Sequence, residues 1–230
     1  VIAHAAVEEA RDRIAKMLSC QPEEVVFTSG GTEANNYAIK GVAGAYSAQG
    51  NHIITSSVEH PAVIEVCRFL EEKGKRVTYL PVDRFGYLDP QQVSDAITDQ
   101  TLLVTVMHAN NEVGTLEPIR EIAEIAHQRG VLVHADCAQS IGKIPVDVDH
   151  LGVDLLTVAG HKLYAPKGIG VLYVRTGVRL EKLIHGANHE MNWRAGTENV
   201  IEIVGLGKAC QLIHENLPEY QSHMTTMRDH

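Results

Sequence analysis

The sequence predicts an α/β fold with a mostly parallel central sheet and helices on both faces. Two observations carry this prediction. Short apolar runs alternate with helical stretches along most of the chain, the order that builds parallel strands joined by crossover helices. Most of those runs are continuously apolar rather than alternating, as in strands covered on both faces. The length, 230 residues, suits one large domain, or one domain and the beginning of another.

Element by element, Val7, Ala10, Ile14, Met17 and Leu18 fall on one helical face. Val25-Val26-Phe27 is a strand that ends in the turn signal Thr28-Ser29-Gly30-Gly31, and a helix opens at Thr32 and runs to about Lys40. Ile53 to Thr55 reads as a strand, and Ala62 to Lys73 as a helix bounded by Pro61 and Gly74. Further strands are expected at Val77–Val82, Leu102–Met107, Val131–Val133, Leu155–Ala159 and Val171–Val174. Helices near Asp89–Thr98 and Ile119–Arg129 lie between several of them, the second closed by Gly130.

Composition narrows the function. Twenty Lys and Arg stand against 29 Asp and Glu, a formal charge of −9. Nucleic acids and membrane surfaces are polyanionic and repel such a chain, so neither is expected as a partner. No apolar run approaches the roughly 18 residues of a membrane span, and the start lacks a signal-peptide pattern. Cys20, Cys67, Cys137 and Cys210 are widely spaced, which is neither a disulfide framework nor a zinc pattern and suits a reducing, cytoplasmic compartment. The 13 histidines include no H-E-x-x-H or similar pair, so no metal is expected.

In open parallel sheets, ligands sit beyond the carboxyl ends of the strands, so the polar residues after each apolar run are the ones to inspect. Ser29-Gly30-Gly31-Thr32-Glu33 offers two glycines and a hydroxyl at a helix mouth. That is either an anion cradle or a plain turn with Thr32 as N-cap. His60 follows the next strand and stands before a proline that starts a helix. His108-Ala109-Asn110-Asn111-Glu112 brings amides and a carboxylate that orient a ligand or form an Asx-turn. Asp136, just beyond three apolar residues, is a carboxylate that needs a positive partner if buried. His161-Lys162 ends the run at Val158, where the lysine is either solvated or, desolvated beside another cation, a nucleophile for a carbonyl. Taken together, this inventory matches the needs of pyridoxal 5′-phosphate: a helix start for the phosphate, an amine for the aldehyde and a carboxylate for the ring nitrogen.

The segments Ser29-Gly30-Gly31-Thr32-Glu33-Ala34-Asn35-Asn36, Glu59-His60, Asn110-Asn111-Glu112-Val113-Gly114, His134 through Ser140, Gly160-His161-Lys162 and Arg194 through Asn199 run in order over nearly the whole chain. Together they resemble the cysteine desulfurases, class V, fold-type I pyridoxal-phosphate enzymes to which selenocysteine lyases are close. The resemblance implies removal of sulfur from L-cysteine, or selenium from L-selenocysteine, leaving alanine. It also implies roles. Lys162 would take the cofactor aldehyde and later move the substrate proton. Asp136 would pair with the ring nitrogen, and His60 would stack on the ring and shuttle a proton. Asn111 and Gln139 would orient the cofactor, Asn111 also lying near the substrate carboxylate. Gly31, Thr32 and His161 would hold the phosphate. Thr197 would reach the phosphate of a neighbouring subunit, which implies a homodimer, and a sulfur-acceptor or scaffold protein would be a further partner.

The chain departs from the family at two places. Ala159 stands where the family usually has serine, and Gly186 through Trp193 replaces a more glycine-rich, basic segment. By resemblance, residues 1–217 are the cofactor-binding large domain without its N-terminal segment, and 218–230 begin a small domain. The family's sulfur-accepting cysteine would lie beyond them, so none of the four cysteines is expected to serve.

Overall fold

Residues 2–230 are described by the structure, a computed structural model. Its sheet has seven strands: β1 (Val25–Thr28), β2 (His52–Ser56), β3 (Arg76–Leu80), β4 (Thr101–Met107), β5 (Leu132–Asp136), β6 (Leu155–Ala159) and β7 (Gly170–Val174). Their spatial order is β1-β7-β6-β5-β4-β2-β3. Pairing is parallel from β3 through β6, while β7 runs antiparallel to both β6 and β1. The predicted fold class therefore holds, with one reversed strand inside the sheet.

Strand residues alternate between two cores, one per face. Val26, Ile53, Leu103, Leu155 and Leu172 pack under α2 (Gly31–Ala45) and α3 (Pro61–Glu72). Val25, Ile54, Val104, Leu156 and Val171 face the other way. They are covered by α1 (Ile2–Leu18), α4 (Pro90–Ala96), α5 (Ile119–His127), α6 (Val148–Leu151) and α7 (Val200–Arg228). Continuous apolar strands follow from this double cover.

Local chemistry sets several boundaries. Asp89 caps α4 by accepting from Gln91 N at 2.9 Å, with Pro90 in the first turn. The start of α2 differs from the Thr32 cap allowed by sequence. Gly30, at φ 150°, is the N-cap, a backbone state that side-chain-bearing residues rarely adopt, so the helix starts one residue earlier at Gly31. It also continues past Lys40 to Ala45, because Gly41, Val42 and Ala43 extend its buried face. Strand β5 reaches Asp136, three residues beyond the predicted end, because Met107 and Asp136 are parallel partners in the β4–β5 ladder.

Sequence periodicity did not reveal α7, the longest helix at 29 residues. It packs along α1 through Gly207, where an added Cβ would come within 2.6 Å of Ala10 Cβ. The helix crosses residues 217 and 218 without interruption, and Ile213 is its last buried residue. Among the described residues, no helix is long and apolar enough to cross a membrane, and no group of His, Cys, Asp and Glu is placed to hold a metal ion.

Candidate active site

A cavity of about 530 Å³ opens at the carboxyl ends of the parallel strands. It is lined by Gly31, Thr32, His60, Asn111, Asp136, Gln139, His161 and Lys162, eight side chains or backbones from five separate chain segments. Every residue named for the site meets there except Thr197. That threonine lines a smaller neighbouring pocket of about 170 Å³, which shares Ser29, Gly168 and Ile169 with the main cavity.

The helix start forms one wall. The first backbone bond of α2 runs from Ala34 N to Gly30 O, so the N–H groups of Gly31, Thr32 and Glu33 are not used by the helix ladder. These donors and the helix dipole favour an anion. Glu33 steadies the turn by accepting from Ser29 N at 2.8 Å and a bidentate pair from Arg194 at 2.8 and 3.2 Å. Burial pushes the Glu33 carboxyl upward, but the bonds from Arg194 and Ser29 outweigh it and leave it below its ordinary value. The same ion pair ties the segment carrying Thr197 to the cavity.

Asp136 ends β5 in a buried position on the same cavity. Asn35 donates its amide to Oδ2 at 2.7 Å, and Ala138 N donates to Oδ1 at 2.9 Å. Burial raises the Asp136 carboxyl above its ordinary value despite these donors and nearby His60. Among the described residues it forms no ion pair. The carboxylate therefore has donors but no countercharge of its own, facing a cavity large enough for an aromatic cofactor.

His60 is exposed and caps α3, its Nδ1 accepting from Ala62 N at 3.1 Å. An accepting Nδ1 leaves the neutral ring's proton on Nε2. Lys162 and His161 sit in a short 3₁₀ turn, Gly160–Leu163, that directly follows β6. His161 is lowered below the usual imidazole value by burial, then by the charges of Lys162 and Lys167. Lys143, half-buried, is likewise lowered by burial and by Lys162. Of the paired amides, Asn110 makes the Asx-turn, accepting from Glu112 N and Val113 N at 2.9 and 3.0 Å. The exposed Asn111 is left for the cavity and donates to Glu112 at 2.8 Å.

Two contributors carry no role in the sequence reading, Asn35 and Glu59. Asn35 lies four residues beyond Gly31 on α2, a spacing that places both on one helix face, and this was the available signal. Glu59 stands in the quoted Glu59-His60 segment, but its bond from Met107 N comes from another strand, 48 residues away, so its role was not legible locally.

The aminotransferase class-V family profile matches residues 2–230. The chain belongs to that family. Among curated relatives, cysteine desulfurase IscS of Dictyoglomus turgidum is 52% identical over 98% of this chain. IscS of Methanosarcina thermophila is 48% identical over 97%. The chain spans about half the length of these relatives, 57% and 55% respectively. A solved NifS-like protein superposes with a TM-score of 0.96 at 40% identity, covering 99% of this chain and 63% of that one. SspA, solved in complex with cysteine, gives 0.88 at 45% identity over 91% of this chain and 61% of its own. The predicted α/β fold is thus matched over 99% of the chain.

Proposed function

We propose that this chain is the cofactor-binding part of a cysteine desulfurase. In a longer protein it would bind pyridoxal 5′-phosphate and remove sulfur from L-cysteine, leaving L-alanine. The observation that carries the reading is the convergence of a free helix start, a buried acid without a countercharge, an exposed imidazole and a lysine on one cavity. The names of the IscS relatives and the cysteine complex of SspA support the choice of substrate.

The residues fit the cofactor. Asp136 lacks the cation that a protonated pyridine nitrogen would provide. At the phosphate end, a Cβ on Gly31 would lie 3.1 Å from Ala159 Cβ, so glycine leaves the helix start open. When bound, pyridoxal phosphate supplies an electron sink that no protein side chain offers. Gly31 and Thr32 N–H groups, with His161, hold the phosphate. Asp136 would keep the ring nitrogen protonated, Gln139 and Asn111 would orient the ring, and His60 would cover it. Lys162 would be the residue whose Nζ holds the cofactor's aldehyde end, and its Nζ would move the substrate's α proton. His60 Nε2, which carries the neutral ring's proton, moves it at the substrate sulfur.

None of the four cysteines lines the cavity, and Cys67, Cys137 and Cys210 are fully buried. On this reading, the thiol that takes the sulfur belongs to a small domain of the longer protein, proposed to begin near residue 218 within α7. Thr197, standing outside the main cavity, serves the phosphate of a second copy in a cytoplasmic homodimer. The sulfur passes on to an acceptor such as an iron–sulfur assembly scaffold.

Addition of pyridoxal phosphate is expected to give a visible absorption band that Lys162→Ala abolishes. A longer version of the protein, supplied with a thiol reductant that converts the transferred sulfur to sulfide, should then release alanine and sulfide from L-cysteine, with L-selenocysteine assayed in parallel. Absence of the band, or a band that survives Lys162→Ala, would overturn the cofactor reading. Alanine from L-selenocysteine but not L-cysteine would overturn the substrate.

A further inference from the structure

Glu59 is a second buried carboxyl beside the site, and it differs from Asp136 in how its oxygens are used. Its Oε1 accepts both from Ser56 Oγ at 2.6 Å and from Met107 N at 3.0 Å. Its Oε2 is buried without a hydrogen-bond partner. Asp136, in contrast, receives one donor on each oxygen. With both donors on Oε1, Oε2 has nothing to stabilise negative charge, so ionisation would put charge on an unsolvated, unbonded oxygen, whereas a hydrogen on Oε2 leaves only one unpaired hydroxyl.

The charges around Glu59 agree with this pattern. On β5 it faces Asp136, on the segment before α5 it faces Glu117, and on α3 it faces the buried Cys67. No cation is paired with it among the described residues. Burial, then the charges of Asp136 and Glu117, raise its carboxyl to about 8 against the hydrogen bonds from Ser56 and Met107. Two like charges this close to one buried site disfavour joint ionisation.

The location gives the acid a purpose. Ser56 ends β2, Met107 ends β4, and Met107 is the ladder partner of Asp136. Glu59 therefore bolts the two strand ends together immediately before His60, the cap of α3. Asn110 closes the same turn by donating to Val58 O at 3.4 Å.

We propose that Glu59 is a positioning residue held as an uncharged acid, fixing His60 over the cavity while leaving Asp136 as its buried anion. The proposal rests on the cofactor reading above for its consequence, but its charge state can be tested without cofactor. The pH-dependent part follows from linkage. An acid raised on folding contributes stability that is full below its unfolded value near 4.5 and is lost as pH rises toward about 8.

The test compares the cofactor-free chain, wild type and Glu59→Gln, by thermal unfolding from pH 5 to pH 9. The amide keeps a carbonyl acceptor and cannot ionise. The melting temperature of Glu59→Gln is expected to rise relative to wild type across this range and level off above about pH 8. A constant difference, or one that falls with pH, would overturn the uncharged state. In a second arm, Glu59→Ala should weaken pyridoxal phosphate binding about tenfold, with Glu59→Gln restoring most of it. Equal losses in both variants would overturn the positioning role. If wild type binds no pyridoxal phosphate, the cofactor reading fails, while the unfolding arm still decides the charge of Glu59.

Discussion

Asn35 donates its side-chain amide to Asp136 Oδ2 at 2.7 Å, joining α2 to the end of β5 inside the cavity wall. Both residues are buried, and the other amide atom of Asn35, Oδ1, has no partner. The asparagine is thus committed to the acid rather than to its own helix.

Asn35→Ala should therefore weaken the site and change its pH response. A hydrogen bond to a charged group is worth about 1.5–3 kcal/mol, so cofactor affinity should fall by roughly ten- to a hundredfold. Asp136 already sits above its ordinary value of 3.8, and loss of this donor raises it further. For an acid raised on folding, stability is full below the unfolded value and lost as pH climbs through the folded one. The variant should be most destabilised near pH 8 and approach wild type near pH 4, as measured by urea unfolding at both values. A pH-independent loss would mean that Asn35 acts by packing alone.

Lys162→Ala separates chemistry from folding. The lysine is exposed in a 3₁₀ turn and makes no hydrogen bond among the described residues, so stability should change by no more than about 0.5 kcal/mol. The visible band on adding pyridoxal phosphate should disappear while the melting temperature holds. Loss of both together would place Lys162 in the fold rather than in the reaction.

The ion pair between Arg11 and Glu190 makes the opposite prediction. Arg11 donates to both Glu190 oxygens at 3.0 Å and to Val25 O at 2.6 Å, and Glu190 also accepts from Phe27 N at 2.8 Å. Both side chains are about 4% exposed. Removing one partner strands a buried charge, which costs about 3–5 kcal/mol. Arg11→Met should lower the melting temperature by on the order of 10 °C. Hydrogen exchange in 186–199 should quicken, because Glu190 anchors that segment to β1. Adding Glu190→Gln should recover part of the loss.

A buried histidine, His134, bridges three strands, with Thr105 Oγ1 at 2.8 Å from Nδ1 and Thr157 Oγ1 at 3.0 Å from Nε2. Burial lowers its value to about 3, so it folds neutral and must charge on acid unfolding. Between its unfolded value near 6.5 and about pH 3 the unfolded chain binds the extra proton, so stability falls with falling pH across that window. His134→Leu should flatten that slope by up to one proton. At pH 7 it should cost about 1–3 kcal/mol, because both threonine hydroxyls lose a partner. Unfolding free energies at unit pH steps read both quantities.

What was legible in the sequence was the sheet and its carboxyl edge. Apolar runs such as Leu155–Ala159 mark strands by themselves, and in a parallel sheet the next polar residues collect at one edge. That is why His60, Asp136 and Lys162 could be chosen before their meeting place was known. The contacts that set their charge were not legible. Asn35 reaches Asp136 from 101 residues away, and the donors on Glu59 come from the ends of two different strands. Helix α7 was hidden for another reason. Gly205, Gly207 and Pro218 argue against a helix locally, yet Gly205 lies against Pro166 and Gly207 against Ala10, so tertiary packing requires small residues there.

Ala159 offers the sharpest test of the phosphate wall. It ends β6 inside the cavity, and its Cβ lies 3.1 Å from where a Cβ on Gly31 would stand. A hydroxyl added at this point therefore lies beside the free N–H groups of the helix start. Ala159→Ser should tighten binding of pyridoxal phosphate by roughly ten- to a hundredfold, the worth of a bond to a charged group. Gly31→Ala should do the reverse, since its methyl presses on Ala159 and narrows the same approach. Inorganic phosphate, titrated as a competitor, isolates the anion from the ring. If serine leaves both affinities unchanged, a water already fills the hydroxyl's place, because such a bridge is nearly equal to a direct bond.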